Sequence, residues 1–455
     1  MKKRLTIICL CLLAVRIFAT GQSVRHVVLI SIDGFRPDMY LDKSWPTPNL
    51  QLLMQQGTYA KHLKSVFPAY TYPAHAAMVT GALPARSGIC YNQPKNSKGE
   101  WNWFMDSIKA PTIWQVLKKS GMTTASVEWP PSVGKDITWD IPEIWDSGPN
   151  GGSDRITEAR KYATPGLIEE VEQNATGKLD SNSMNEEYLS LDEQAARAAG
   201  YIFRTHKPSF LAVHFACVDG MQHGYGRDHD SVKLAAACND HAIGDMLEAI
   251  QRSGLKESTA VIIVGDHGFS TINQAFRPNL LIKDIDARFI AAGGSAFLYR
   301  SSISTVSNAD LIKVVTEKLN TLPNEKRRLF RIIDRKELDE MGVDSAALIA
   351  LSAEPGLVFS GSTKPAPVAN HGPGTQIQQN ELEGAFYTVS GGHHGYDPNN
   401  PQMYTGFIAV GAGIRKGGVI PDLCVTDIAP LIARLLEVPF TCPDGKLVKG
   451  IVSEN

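Results

Sequence analysis

The chain is short of charge of either sign in excess, short of cysteine, and short of long apolar runs beyond its N-terminus. Lys and Arg number 45 against 47 Asp and Glu, a formal net charge of −2, so neither nucleic acid nor an anionic membrane surface is expected as the main partner. Seven cysteines are present, none in a CxxC spacing, which argues against a zinc–thiolate site. Cys9 and Cys11 lie in the N-terminal apolar run. Cys90, Cys217, Cys238, Cys424 and Cys442 remain, an odd set in which an oxidising compartment permits a bridge such as Cys424–Cys442 but no spacing specifies one. The uninterrupted apolar stretch at the start is well below the about 20 residues of a spanning helix. Instead "MKKRLTIICLCLLAVRIFATGQS" has a basic start, an apolar run and small or polar residues after it, the layout of a secretory signal peptide over residues 1–22. The mature chain, 23–455, is therefore expected to be exported, periplasmic or secreted, without a membrane span.

What the chain does have is a series of short apolar runs separated by helical patterns. "RHVVLISID" (Arg25–Asp33), "TTASVEW" (Thr123–Trp129), "SFLAVHFACVD" (Ser209–Asp219) and "TAVIIVGDH" (Thr259–His267) suit strands buried on both faces, and stretches such as "APTIWQVLKKSG" and "ACNDHAIGDMLEAIQRSG" suit the helices between them. The alternation predicts an α/β fold with a mostly parallel central sheet sandwiched by helices. Residues from about 273 to 386 mix turns with shorter strands and helices and are expected to form a smaller inserted α+β segment.

Charged residues stand where these strands end. Asp33 closes the first run, Asp219 the third, and Asp266 with His267 the fourth. Ligands of open α/β sheets bind beyond the carboxyl ends of the strands, and a carboxylate finishing an apolar strand is costly unless paired or bound to a metal. His223 in "CVDGMQHGYG" and His394 in "GGHHGYDP" add imidazoles in glycine-rich turns. Carboxylates and imidazoles without thiolates suit zinc in a catalytic site, and six such ligands suit two metals about 4 Å apart. His75 and His393 are expected beside the site, and His214, inside a strand, to be structural.

The stretch "SVFPAYTYPAHAAMVTG" reads as a loop entering a helix, with Thr71 as its N-cap and Pro73 in the first turn. A hydroxyl there faces free N–H groups and the positive end of the helix dipole, where a phosphate is stabilised.

The motifs together resemble the nucleotide pyrophosphatase/phosphodiesterase family of the alkaline phosphatase superfamily. "VVLISIDGFRPDMY", "PTPNLQLLMQQGTYA", "VFPAYTYPAHAAMVTGALPARSGI", "WPPS", "GDHG" and "HHGYDP" occur in the family's order across nearly the whole mature chain. The resemblance implies two Zn²⁺ ions, one held by Asp33, Asp266, His267 and the Thr71 oxygen, the other by Asp219, His223 and His394. It implies a phosphothreonine intermediate on Thr71, Asn92 as a donor to a phosphate oxygen, and Tyr72 as an aromatic against which a nucleotide base stacks; Trp129 and Tyr188 are candidates for an opposing face. It also implies an alkaline-phosphatase-like catalytic domain without the extra modules of larger animal members. Ala74 and Gln222 depart from the family's usual Asn and Gly.

The implied reaction is hydrolysis of phosphodiester or pyrophosphate bonds in a small-molecule substrate, nucleotides foremost. Monoesterases of the superfamily carry a cationic group at the non-bridging oxygens, whereas this chain has Glu128, Trp129 and Pro130 after the second strand run, with Lys135 the nearest basic residue. A phosphomonoesterase or phosphonate hydrolase on the same bimetal site is the alternative, and a non-catalytic secreted binding protein a third reading. The formylglycine motif of sulfatases is missing.

Overall fold

The computed structural model describes residues 23–146, 155–364 and 384–454. The predicted signal peptide, residues 1–22, lies outside them. Eight strands build the central sheet: β1 (His26–Ile32), β2 (Thr58–Ala60), β3 (Thr124–Val127), β4 (Trp139–Ile141), β5 (Phe210–Phe215), β6 (Thr259–Gly265), β7 (Phe407–Gly411) and β8 (Gly418–Ile420), in the order β8-β2-β7-β6-β1-β5-β3-β4. The run β6-β1-β5-β3-β4 is parallel throughout, and β7 pairs antiparallel with β6 and β2.

Both faces of this sheet are covered, which is why its strands are apolar at successive positions rather than alternate ones. Val28, Ile30 and Ile32 of β1 enter one core with Leu211, Val213 and Phe215 of β5; Val27 and Leu29 enter the other with Phe210 and Ala212. Six helices matter here: α1 (Thr71–Thr80), α2 (Ile113–Lys119), α3 (Ser190–His206), α4 (Cys217–Tyr225), α5 (Asp230–Arg252) and α6 (Ile428–Leu435). Helices α3 and α5 cover the first face and α1, α2 and α6 the second.

Helix α1 is buried at all ten positions, and its small residues allow that close approach. It stops at Gly81, whose φ of +63° is left-handed and whose missing Cβ would lie 2.5 Å from Cβ of Cys442. No side chain other than glycine's fits there without moving the C-terminal segment.

Between β6 and β7 the chain forms a four-stranded antiparallel sheet (Ala287–Ala292, Ser295–Arg300, Phe330–Ile333, Ala350–Ala353) and a three-stranded one (Gln274–Phe276, Leu357–Phe359, Phe386–Thr388), around a separate apolar core. Cys90, Cys217, Cys238, Cys424 and Cys442 are all free thiols. Among the described residues no helix is long and apolar enough to cross a membrane.

Candidate active site

Parallel register brings the strand ends together. Ile32 of β1 lies opposite Phe215 of β5 and Gly265 of β6, so Asp33, the residues after Phe215 and Asp266 leave the sheet at one edge. The Asp33 N–H donates to the Phe215 carbonyl at 2.8 Å. The turn that follows needs Gly34 in the left-handed region, φ +67°, and its N–H donates to Asp266 Oδ1 at 3.0 Å. Asp219 differs from expectation: it does not end a strand but lies in the first turn of α4, because β5 stops at Phe215 and the chain turns directly into that helix. Four residues on, His223 lies on the same helical face, its Nε2 3.3 Å from Asp219 Oδ2.

Each ligand group expected from the sequence is brought together. His267 Nε2 lies 3.2 Å from Asp33 Oδ1 and 3.1 Å from Asp266 Oδ2, with Thr71 Oγ1 3.4 Å away. His394 Nε2 lies 3.7 Å from Asp219 Oδ1, and the His267 and His394 rings stack with centroids 3.6 Å apart, joining the two groups. His393, expected only beside the site, has a ring nitrogen within 4.8 Å of those of His223 and His394. Backbone carbonyls fix three imidazoles through Nδ1: Gly268 for His267 at 3.1 Å, Gly392 for His223 at 3.1 Å and Ala69 for His394 at 2.9 Å. Their Nε2 atoms are left to face the site.

The electrostatics follow from burial. Burial and, after it, the charge of Asp219 push the Asp33 carboxyl up to about 7. Burial and neighbouring carboxylates raise Asp219 and Asp266 well above the usual range. Burial holds His267 and His394 well below the ordinary imidazole value and His223 at about 4. Asp33 Oδ1, Asp219 Oδ1 and Asp266 Oδ2 are buried without a hydrogen-bond partner, a costly state for carboxylate oxygens and one that a divalent cation would relieve.

Thr71 is the first residue of α1 rather than its cap. Tyr70, in extended conformation, takes the cap position without a side-chain bond to the helix, and its carbonyl accepts the Ala74 N–H at 3.0 Å. The Thr71 hydroxyl is therefore not spent on the helix. Asn92 Oδ1 accepts the Tyr72 N–H at 3.0 Å, which leaves the Asn92 NH₂ as a donor.

Thr71, Asn92, Asp219, His223 and His394 line a cavity of about 660 Å³. Tyr72 does not, which corrects its expected place against a ligand: it is fully buried, donates its hydroxyl to Glu143 at 2.6 Å, and meets Trp101 edge-on. Trp129 is likewise buried, edge-on to His75. The aromatic lining comes from Trp101 and Trp145, and Glu143, Glu186 and Arg155 line the cavity with them. Arg155 stands 3.4 Å from Glu128, 3.9 Å from Glu143 and 3.2 Å from Glu186. Three carboxyl groups thus surround Arg155, the one arginine or lysine among the described residues lining the cavity, although burial pushes Glu128 up to about 8. His214 lines the cavity too, and against its burial Asp33 and Glu143 hold its imidazole well above the ordinary value. Lys135 is exposed and does not line it.

Gln222, a departure from the family pattern, has a place: fully buried, it donates its amide to the Gly34 carbonyl at 3.0 Å, tying the helix of Asp219 and His223 to the turn after Asp33.

A hydroxyl at a helix start, ringed by buried carboxylates and imidazoles beyond the carboxyl ends of parallel strands, is the arrangement that the resemblance to alkaline-phosphatase-like hydrolases implies. Residues 27–397 match the family of type I phosphodiesterases/nucleotide pyrophosphatases, and the chain belongs to it. It is 21% identical over 444 residues to ectonucleotide pyrophosphatase/phosphodiesterase family member 7 of Rattus norvegicus (93% of this chain, 86% of the relative). With bis(5'-adenosyl)-triphosphatase enpp4 of Mus musculus it shares 24% identity over 420 residues (92% and 79%). Among solved structures, an inactive variant of murine ectonucleotide pyrophosphatase/phosphodiesterase 5 in complex with AMP superposes with a TM-score of 0.66 at 20% identity, covering 94% of this chain and all of the other. The human protein of that name superposes at 0.64 with 19% identity, covering 92% and 97%.

Proposed function

We propose that this chain is an exported, zinc-dependent nucleotide pyrophosphatase/phosphodiesterase that works through a phosphothreonine intermediate on Thr71. The observation that carries the reading is the Thr71 hydroxyl 3.4 Å from His267 Nε2, beside three buried carboxylate oxygens without hydrogen-bond partners. The donor set fits two zinc ions: Asp33, Asp266, His267 and the Thr71 oxygen for one, Asp219, His223 and His394 for the other. Bound there, zinc lowers the pKa of a hydroxyl and neutralises charge on a phosphoryl group.

In the reaction, the Thr71 oxygen attacks phosphorus, and the new Thr–O–P bond forms as the bond to the leaving oxygen breaks. The Thr71 proton leaves to solvent or the departing oxygen; water then attacks phosphorus, the Thr71 Oγ–P bond breaks, the phosphoryl product departs with the water oxygen, and a proton from that water restores the Thr71 hydroxyl. The Asn92 NH₂, held in place because its oxygen accepts the Tyr72 N–H, donates to a non-bridging oxygen as charge develops there. Trp101 and Trp145 offer ring faces and edges to the organic substituent of the substrate. A nucleotide substrate is supported by the name of the mouse triphosphatase and by the AMP bound to the murine structure. A diester is favoured over a monoester because Arg155, the cation a monoester would need, is already offset by Glu143 and Glu186.

The test is hydrolysis by purified, zinc-supplemented protein of bis-p-nitrophenyl phosphate against p-nitrophenyl phosphate, followed by ATP, a dinucleotide polyphosphate and glycerophosphocholine. A strong preference for the monoester overturns the reading. Phosphate trapped on Thr71 by acid quench and located by mass spectrometry supports the intermediate.

A further inference from the structure

His214 lies inside β5, where an imidazole has no evident use, and it is 2% exposed. Both of its ring nitrogens are engaged. Nε2 is 3.2 Å from Asp33 Oδ2. Nδ1 is 3.2 Å from Glu143 Oε2 and 3.2 Å from the Glu128 carbonyl oxygen. Glu143 in turn accepts the Tyr72 hydroxyl on its other oxygen, Oε1, at 2.6 Å. The chain of contacts therefore starts at an Asp33 carboxylate whose Oδ1 is free of hydrogen bonds and ends on the residue that follows Thr71.

A second observation points the same way. Glu128 is buried and has φ of +55°, a left-handed conformation that a glutamate pays to adopt. In that conformation its carbonyl meets the His214 ring and its carboxylate meets Arg155. Strain at a buried non-glycine residue beside a functional site persists only where its surroundings over-determine it.

We infer that His214 and Glu143 are positioning residues: the buried chain Asp33–His214–Glu143–Tyr72 holds one oxygen of Asp33 so that the other faces the metal site, and fixes the first turn of α1, with Thr71, in register with it. The inference rests on the reading of Asp33 as a zinc ligand. Outer partners of this kind set the orientation of metal-binding side chains, and their loss costs about 10–100-fold in metal affinity or activity. An ordinary packing role for His214 would move thermal stability alone.

The experiment is zinc titration of metal-free protein by calorimetry, with stoichiometry and affinity read for the wild type and for Asp33→Asn, His214→Phe, His214→Gln and Tyr72→Phe. Asp33→Asn should remove or cripple one of two zinc equivalents; if it binds both as the wild type does, Asp33 is no ligand and the parent reading fails. His214→Phe should weaken one equivalent by about 10–100-fold, and His214→Gln, whose amide can still donate to Asp33, should recover most of it. Tyr72→Phe releases the turn that carries Thr71, itself in the donor set, so it should lower kcat with KM little changed and weaken the same zinc equivalent less than His214→Phe does; wild-type kcat and zinc affinity in it would overturn the Tyr72 end of the chain. Wild-type zinc affinity in His214→Phe, with Asp33→Asn impaired, overturns the inference while sparing the reading. Should His214→Phe fail to fold, Glu143→Gln probes the same link from its far end: weakened zinc binding supports it and unchanged binding overturns it.

Discussion

Removing the metal should expose a pH dependence that belongs to the carboxylates of the site. In the metal-free protein, burial first and Asp219 second raise Asp33 from 3.8 to about 7. A folded-state value above the unfolded one means that the folded chain binds the extra proton, so this contribution to stability is present in full below about 4 and is lost as pH rises through about 7. The imidazoles have the opposite sign: His223, held at about 4 by burial, is neutral in the folded state, and its contribution grows until the unfolded chain's histidines lose their protons near 6.5. The difference in stability between zinc-loaded and metal-free protein separates the two, since both share one unfolded state. From about pH 5 to pH 7 His223, His267 and His394 of the folded, metal-free protein carry no proton for zinc to displace, whereas Asp33 does, and Asp219 and Asp266, also raised, add to it with the same sign. One displaced proton is worth about tenfold in apparent affinity per pH unit, roughly 1.4 kcal/mol, so about 3 kcal/mol over the two units. The assay is thermal unfolding at fixed free zinc and in chelator, in matched buffers at about pH 5, 6 and 7. A gap between the two midpoints that stays constant across that range would refute the placement of buried, protonated carboxylates among the ligands.

Other perturbations test single parts of the site. Thr71→Ala should cut turnover by roughly three orders of magnitude or more and abolish acid-trapped phosphoprotein, while circular dichroism melts stay close to wild type. Asn92→Ala should lower kcat by about 10²-fold, the usual cost of one donor to developing charge. Trp101→Ala and Trp145→Ala should raise KM for a nucleotide substrate with less effect on kcat, and unchanged KM in both would remove them from the substrate pocket. Gly34→Ala should destabilise by about 1–3 kcal/mol, since a side chain is strained at this left-handed turn. Its Cβ would also fall 2.5 Å from Gln222 Nε2, so lost zinc affinity should accompany the lower unfolding midpoint.

How much of this was legible in the sequence depended on whether the signal was local. Asp33, Asp266 and His267 could be read because each follows an apolar run directly, and in a parallel sheet that position alone decides which edge a residue reaches. Asp219 lies beside His223 and His394, but on a helix and not at the strand end the apolar run suggests, although its spacing of four from His223 is a helical spacing and contained the answer. Tyr72 shows a different limit. Adjacent residues of an α-helix point about 100° apart, and here that offset turns Tyr72 into the core, onto Glu143 and Trp101, while Thr71 faces the cavity. The wall formed by Trp101, Trp145, Glu186 and Arg155 had no periodicity to betray it, because those residues come from separate loops and a helix start that only the tertiary fold assembles.

His214 marks where a local reading stops altogether. A histidine inside an apolar strand reads as a buried residue and nothing more, because the strand's period says only which face it takes. Its meaning lies across the sheet: β5 pairs with β1 so that His214 stands opposite Ser31, two residues before Asp33, and only that register brings its Nε2 to the carboxylate. On the other side its partner is Glu143, which follows β4 two strands away. Three strand ends must be in place before the contact exists, so the pairing of the sheet, and not the chemistry of any one strand, determines whether the imidazole is structural filler or a support for the site.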